Sequence, residues 1–207
     1  MDRAAAVTPS DAGRSPSLWL LRHGETEWTI TGQHTGRTDV PLTLQGERQA
    51  TALQQQLAGR EFALVLTSPL RRARDTARLA GRGDVAELDP DLLEWDYGAL
   101  EGKTTAEIRE EFPGWNLWHA GAPGGESPHD VARRAERVIA RAAAADGDTA
   151  IFAHGHLLRI LAARWIGQDP SLGALLSLDT ASVSILGFER NQRAIRHWNI
   201  VARLNEG

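Results

Sequence analysis

The 207-residue chain has no cysteine, which excludes a disulfide framework, a Cys-ligated zinc or iron–sulfur centre and a cysteine nucleophile. Any covalent catalyst is another residue type. No stretch approaches the roughly 18 to 20 apolar residues that a membrane helix needs. Residues 1–17 (MDRAAAVTPSDAGRSPS) also lack the apolar segment of a signal peptide, so the expectation is a cytoplasmic protein with no membrane partner. Positive charge is not in surplus: 23 Lys and Arg stand against 27 Asp and Glu, a net charge of −4. This argues against a nucleic-acid partner, which needs cations along a phosphate backbone, while local basic pockets stay open. What is present, 42% hydrophobic and 24% charged residues, is the balance of one globular domain with a substantial core.

Residues 1–17 mix Ala, Pro, Ser, Gly and charges without a period and read as a loose leader, with a single domain over 18–207. The apolar run LWLL (18–21) ends in Arg22-His23-Gly24, as a buried strand does on reaching a loop. After the polar loop GQHTGRTDVPLT (32–43), Thr43 opens a capped amphipathic helix to Leu57. ALVLTS (63–68) predicts a second strand, LRRARDTARLAG a helix, and 83–88 a short strand before the loop 89–102. The segment 103–126 reads as a short helix and a Gly/Pro/Trp-rich excursion, the best candidate for a lid or substrate-facing insertion, with Trp115 and Trp118 at the pocket mouth. An Ala/Arg helix over about 127–145, read as a solvated face with an Ala seam, leads to the strand TAIFAH (149–154). LLRILAARWIG is helical, and SVSILGFE with AIRHWNIV closes the chain as antiparallel strands. The expected fold is α/β, a three-layer α/β/α sandwich on a mostly parallel sheet.

Open α/β sheets bind ligands beyond the carboxyl ends of their strands. Three apolar runs end there in polar groups: Arg22-His23-Gly24, Ser68 leading to Arg71-Arg72, and His154-Gly155-His156. Two histidines with arginines suit a phosphoryl group, because guanidinium forks pair with its oxygens and a neutral imidazole can attack phosphorus. The helix expected after His154 would add backbone N–H groups and a positive dipole end. Glu94 is the candidate proton donor, with Asp96 as its alternative. A metal held by His154 and His156 with His23 or His34 is opposed by the neighbouring guanidiniums.

LLRHGETEW (20–28), SPLRRARDTA (68–77), LLEWDYGALEG (92–102), GGES (124–127) and FAHGH (152–156), in this order, resemble the motifs of the histidine phosphatase, or phosphoglycerate-mutase-like, superfamily over about 18–200. GQHTGRTDVPLT, WNLWHAG and AHGHLLR are similar to its branch of bacterial acid phosphatases and sedoheptulose-1,7-bisphosphatase. The resemblance implies a phosphoglycerate mutase-like fold and a metal-independent phosphatase, without cofactor, that acts on a small phosphorylated metabolite; relatives are often homodimers. It implies that His23 is the nucleophile, that Arg22 and Arg72 hold the phosphoryl oxygens, that His154 is the second pocket histidine and that Glu94 protonates the leaving oxygen. Thr29, Thr35, Gly36, Tyr97, Gly155 and His156 are the implied substrate contacts, His156 either lining the substrate end or capping its helix.

Three departures bear on activity. Thr29 stands where mutases of the family carry Asn, and Gln33 where they often carry Arg. Between Tyr97 and Glu126 there is no adjacent Arg pair of the kind mutases use to grip phosphoglycerate, only Lys103 and Arg109. These weaken the mutase alternative. A catalytically silent phospho-ligand binder is the other alternative, and every expected catalytic position is filled.

Overall fold

The structure, a computed structural model, describes residues 15–201. In chain order the elements are β1 (Leu18–Arg22), α1 (Glu27–Thr31), α2 (Leu44–Leu57), β2 (Leu64–Thr67), α3 (Arg71–Leu79), β3 (Glu87–Leu88), α4 (Thr105–Glu111), α5 (Leu117–Ala120), α6 (Pro128–Ala143), β4 (Thr149–Ala153), α7 (Gly155–Trp165), β5 (Ser182–Glu189) and β6 (Gln192–Val201). The strands form one six-stranded sheet in the order β3-β2-β4-β1-β5-β6. β3, β2, β4 and β1 are mutually parallel, and β5 and β6 extend the sheet antiparallel.

Successive side chains of a strand point to opposite faces. Leu18 and Leu20 of β1 accordingly join a core with Leu66, Ile151 and the apolar faces of α6 and α7, while Trp19 and Leu21 join Leu53, Leu57, Ala77 and Phe152 under α2 and α3. Helices on both faces of the sheet make three layers, the expected α/β/α sandwich. α6 begins at a capping box, in which Ser127 accepts from the Asp130 amide and Asp130 answers to the Ser127 amide, with Pro128 in the first turn.

Of the leader, residues 1–14 lie outside the described residues; Ser17 is buried, and its amide donates to Asp148 Oδ1 at 2.8 Å. α1 was not expected. At five residues it is too short to show a period, and it is set by the Thr26/Thr29 capping box at its start and the left-handed Gly32 at its end. The segment 103–126 holds two short helices, α4 and α5. Among the described residues, no helix is long and apolar enough to cross a membrane.

Candidate active site

The register of the sheet brings the site together. β1 pairs with β4 from Leu18↔Thr149 to Arg22↔Ala153, so the next residues, His23 and His154, leave the sheet side by side. Their ring centroids are 5.2 Å apart. On the other side of β4, Thr67 of β2 pairs with Phe152, and Ser68 emerges at the same level. Gly24 sits where a Cβ would run into the Gly46 carbonyl, so the chain after His23 passes directly over α2 only because this residue has no side chain.

Hydrogen bonding fixes the protonation of both imidazoles. His23 Nδ1 lies 2.7 Å from the Gly24 carbonyl oxygen, which can only accept, so Nδ1 carries the proton and Nε2 keeps its lone pair. His154 Nδ1 accepts from Arg72 Nε at 3.1 Å, and an arginine can only donate; the His154 proton is therefore on Nε2, donated to Ser68 Oγ at 2.7 Å. Burial, followed by the charges of Arg72 and Arg22, holds His23 well below the usual histidine range. Burial and the same Arg72 hold His154 there also.

Glu94 is buried at the amino end of α7. Its Oε1 accepts from the amides of Trp95 and Leu157, both at 2.9 Å, and Oε2 from the amide of His156 at 3.0 Å. A carboxylate oxygen has room for about two donors. Oε1 is filled, and Oε2 is the oxygen with room for a proton. Beside it, the Tyr97 hydroxyl and His156 Nδ1 are 2.6 Å apart, and burial keeps the phenol protonated far above its ordinary range.

His23, Glu94, Tyr97 and His156 face a cavity of about 300 Å³, lined also by Arg22, Trp28, Thr29, Gly32, Gln33, His34, Thr35, Thr105, Gly155, Arg159 and Leu178. Arg22 donates through Nη1 to the Leu178 carbonyl at 2.5 Å and lies against Gly155, whose missing side chain makes the space. Its buried Nε has no partner among the described residues. Arg159 stacks 4.4 Å over the Trp118 ring and donates through Nε to Gly173 O at 2.8 Å; desolvation pushes it down to about 10, so it stays cationic at neutral pH. Among the described residues no three His, Asp or Glu side chains are grouped to hold a metal.

Of the residues singled out from the sequence, Arg22, His23, Glu94, Thr29, Thr35, Tyr97, Gly155 and His156 line this cavity. Arg72, His154 and Gly36 stand behind its wall. Arg72 is fully buried and donates to the carbonyls of Thr35, Gly36 and Thr38 as well as to His154, so it ties the 35–38 loop to the sheet. The amides expected at the start of α7 are in part committed: those of His156 and Leu157 serve Glu94. The expectation of a substrate-facing 103–126 segment needs correction, since only Thr105 reaches the cavity. Trp118 instead packs behind His156 and Arg159, and Trp115 behind His34. Sequence reasoning missed Arg159 as a pocket cation. Its five-residue spacing from His154, about one and a half turns of a helix that starts at the site, was the available signal.

The sequence model of the histidine phosphatase superfamily (branch 1) matches residues 18–201. An acid phosphatase of Mycobacterium tuberculosis is 42% identical over 186 residues, covering 88% of this chain and 91% of that protein. Sedoheptulose 1,7-bisphosphatase of Saccharomyces cerevisiae is 37% identical over 186 residues, covering 74% and 68% respectively. Among solved structures, an open reading frame product of Mycobacterium tuberculosis superposes with a TM-score of 0.87 at 41% identity, over 92% of this chain and all of that one. The chain belongs to the histidine phosphatase superfamily, branch 1, and is a phosphatase.

Proposed function

We propose that the protein is a metal-independent phosphomonoesterase that hydrolyses a small phosphorylated metabolite through a phosphohistidine on His23. The observation that carries this reading is the His23 tautomer. With Nδ1–H bonded to Gly24 O, the lone pair of Nε2 belongs to a neutral, oriented ring in the cavity wall. In the first half-reaction Nε2 bonds to phosphorus, the bond from phosphorus to the ester oxygen breaks, and Glu94 gives its proton from Oε2 to the departing alkoxide. In the second, a water oxygen bonds to phosphorus, the N–P bond breaks, and the same carboxylate takes the water's proton.

Phosphoryl transfer has a loose transition state with its charge on the peripheral oxygens, so fixed cations do most of the work. Arg22 lines the cavity with a buried Nε that has no partner among the described residues, which supports its assignment to those oxygens. Arg72 and His154 act from one layer behind, through the charge of Arg72 and the imidazole that it orients. The cavity volume is at the small end of ligand sites. Its polar wall of His34, Gln33, His156 and Arg159 favours a hydroxylated leaving group that carries a second anion. An imidazole held neutral at acid pH also suits the activity named for the Mycobacterium tuberculosis relative.

The test is phosphate release from an aryl phosphate and from a panel of sugar phosphates, bisphosphates and phosphoglycerates, with chelator, for wild type and His23→Ala. The expected result is chelator-resistant release by wild type and a loss of at least about 10³-fold in a folded mutant. Hydrolysis by the mutant at the wild-type rate would refute the reading.

A further inference from the structure

The main chain around Glu94 has no regular structure: residues 93–97 belong to no helix or strand. A buried backbone without ladder bonds needs other partners. It finds them in two side chains that do not reach the cavity. Arg134 of α6, buried although the Ala/Arg helix was expected to be a solvated face, donates through Nη1 to Asp91 O at 2.7 Å and Leu93 O at 2.8 Å, and through Nη2 to Glu94 O at 3.4 Å. Its Nε and Nη2 grip Glu126 at 2.7 and 2.8 Å. All five N–H groups of the guanidinium are used. Glu126 in turn accepts the Asp96 amide on Oε2 at 2.9 Å, returns its own amide to Asp96 O at 2.9 Å, and receives the Trp95 indole N–H on its carbonyl at 2.8 Å.

The backbone on both sides of residue 94 is thus held by one bidentate ion pair. Arg137 and Arg141, three and seven residues further along the same face of α6, continue the row to Asp91, Asp89 and Glu87. Arg137 and Arg141 are largely solvated, so their pairs contribute little even where Asp89 is buried; the pair with both partners shielded is the one beside Glu94. The two sets of bonds divide the task. α7 amides orient the carboxylate, and α6 fixes the backbone from which it projects.

We propose that Arg134 and Glu126 are positioning residues for proton transfer by Glu94 Oε2 to the departing oxygen. This rests on the reading of Glu94 as the acid. A misplacement of about 1 Å in a reacting group costs on the order of 10²-fold in rate. An alkoxide needs the proton in order to leave, and a 4-nitrophenolate leaves without it, so loss of the clamp separates the two esters. General loss of structure would slow both.

The experiment measures alcohol release under single-turnover conditions, which isolates the first half-reaction. The substrates are 4-nitrophenyl phosphate and the alkyl phosphate that wild type turns over fastest, and the enzymes are wild type, Arg134→Lys, Glu126→Gln and Glu94→Gln. Arg134→Lys is expected to slow the alkyl ester by about 10²-fold and the aryl ester by less than about threefold, in the pattern of Glu94→Gln. Equal slowing of both esters, or an alkyl rate within about twofold of wild type, would overturn the proposal. If Arg134→Lys does not fold, Glu126→Gln carries the same comparison. If Glu94→Gln itself shows no difference between the esters, the reading of Glu94 as the acid fails, separately from the clamp.

Discussion

Lowering the pH from 7.5 to 5.5 perturbs the buried imidazoles without touching the sequence. His23 and His154 are 4% and 0% exposed, and both are held well below the ordinary histidine pKa of 6.5 by burial and by the arginines behind them. Below pH 6.5 the unfolded chain takes up a proton at each that the folded protein refuses. Stability from a depressed group is fully present above the unfolded pKa and is lost as the pH falls toward the folded one. At pH 5.5, one unit below 6.5, each ring that stays neutral when folded costs about 1.4 kcal/mol, so the pair costs about 2.8 kcal/mol. His34 and His156, also lowered by burial, act in the same direction and bring the upper bound to roughly 5.6 kcal/mol. Against a typical total of about 5–15 kcal/mol, this is a large share. Urea unfolding at pH 7.5 and 5.5 measures it, and His154→Gln removes one of the titrating rings. The loss is expected to shrink by about 1.4 kcal/mol in that variant. A wild-type stability unchanged between the two pH values, or a variant with the full wild-type loss, would refute the assignment of neutral buried rings.

Arg159→Leu should raise KM by about 10-fold or more for substrates with a second anionic group while leaving turnover of 4-nitrophenyl phosphate nearly unchanged, because the residue lines the cavity but its partners among the described residues are Trp118 and the Gly173 and Ala174 carbonyls, not the residues assigned to phosphoryl transfer; steady-state kinetics on both substrates checks this. Gly24→Ala should destabilise by about 1–3 kcal/mol and depress activity, since the added methyl meets backbone of Gly46 that cannot swing aside; chemical denaturation and an activity assay read the two effects.

Much of this was legible from residues alone because strand ends are legible. LWLL and AIFA are continuous apolar runs, the first followed by Arg22-His23 and the second by His154, and because the parallel register pairs Arg22 with Ala153 the two histidines leave the sheet together. The three layers follow from the same alternation of strand and amphipathic helix. What stayed hidden depends on tertiary neighbours. Arg134 differs in nothing local from Arg133 or Arg137, and only the packing of α6 on the 89–96 loop makes it the buried one. Trp118 reads like a pocket wall in a Gly/Pro-rich segment, yet it supports Arg159 from behind. The retreat of Arg72 behind the wall could not be read either, because its partners are carbonyls of a loop 34 to 37 residues away.

The central claim is the covalent one, and it is tested by trapping the intermediate. Wild type and His23→Ala are mixed with a ³²P-labelled phosphate ester for a time shorter than one turnover, quenched in alkali, which preserves phosphohistidine, and mapped by peptide. Label is expected on the peptide that carries His23 in wild type and none in the variant; with labelled 4-nitrophenyl phosphate, whose leaving group needs no proton, Glu94→Gln retains more label because only its dephosphorylation is slowed. Turnover by wild type with no label at any time, or label on a residue other than His23, would contradict the claim.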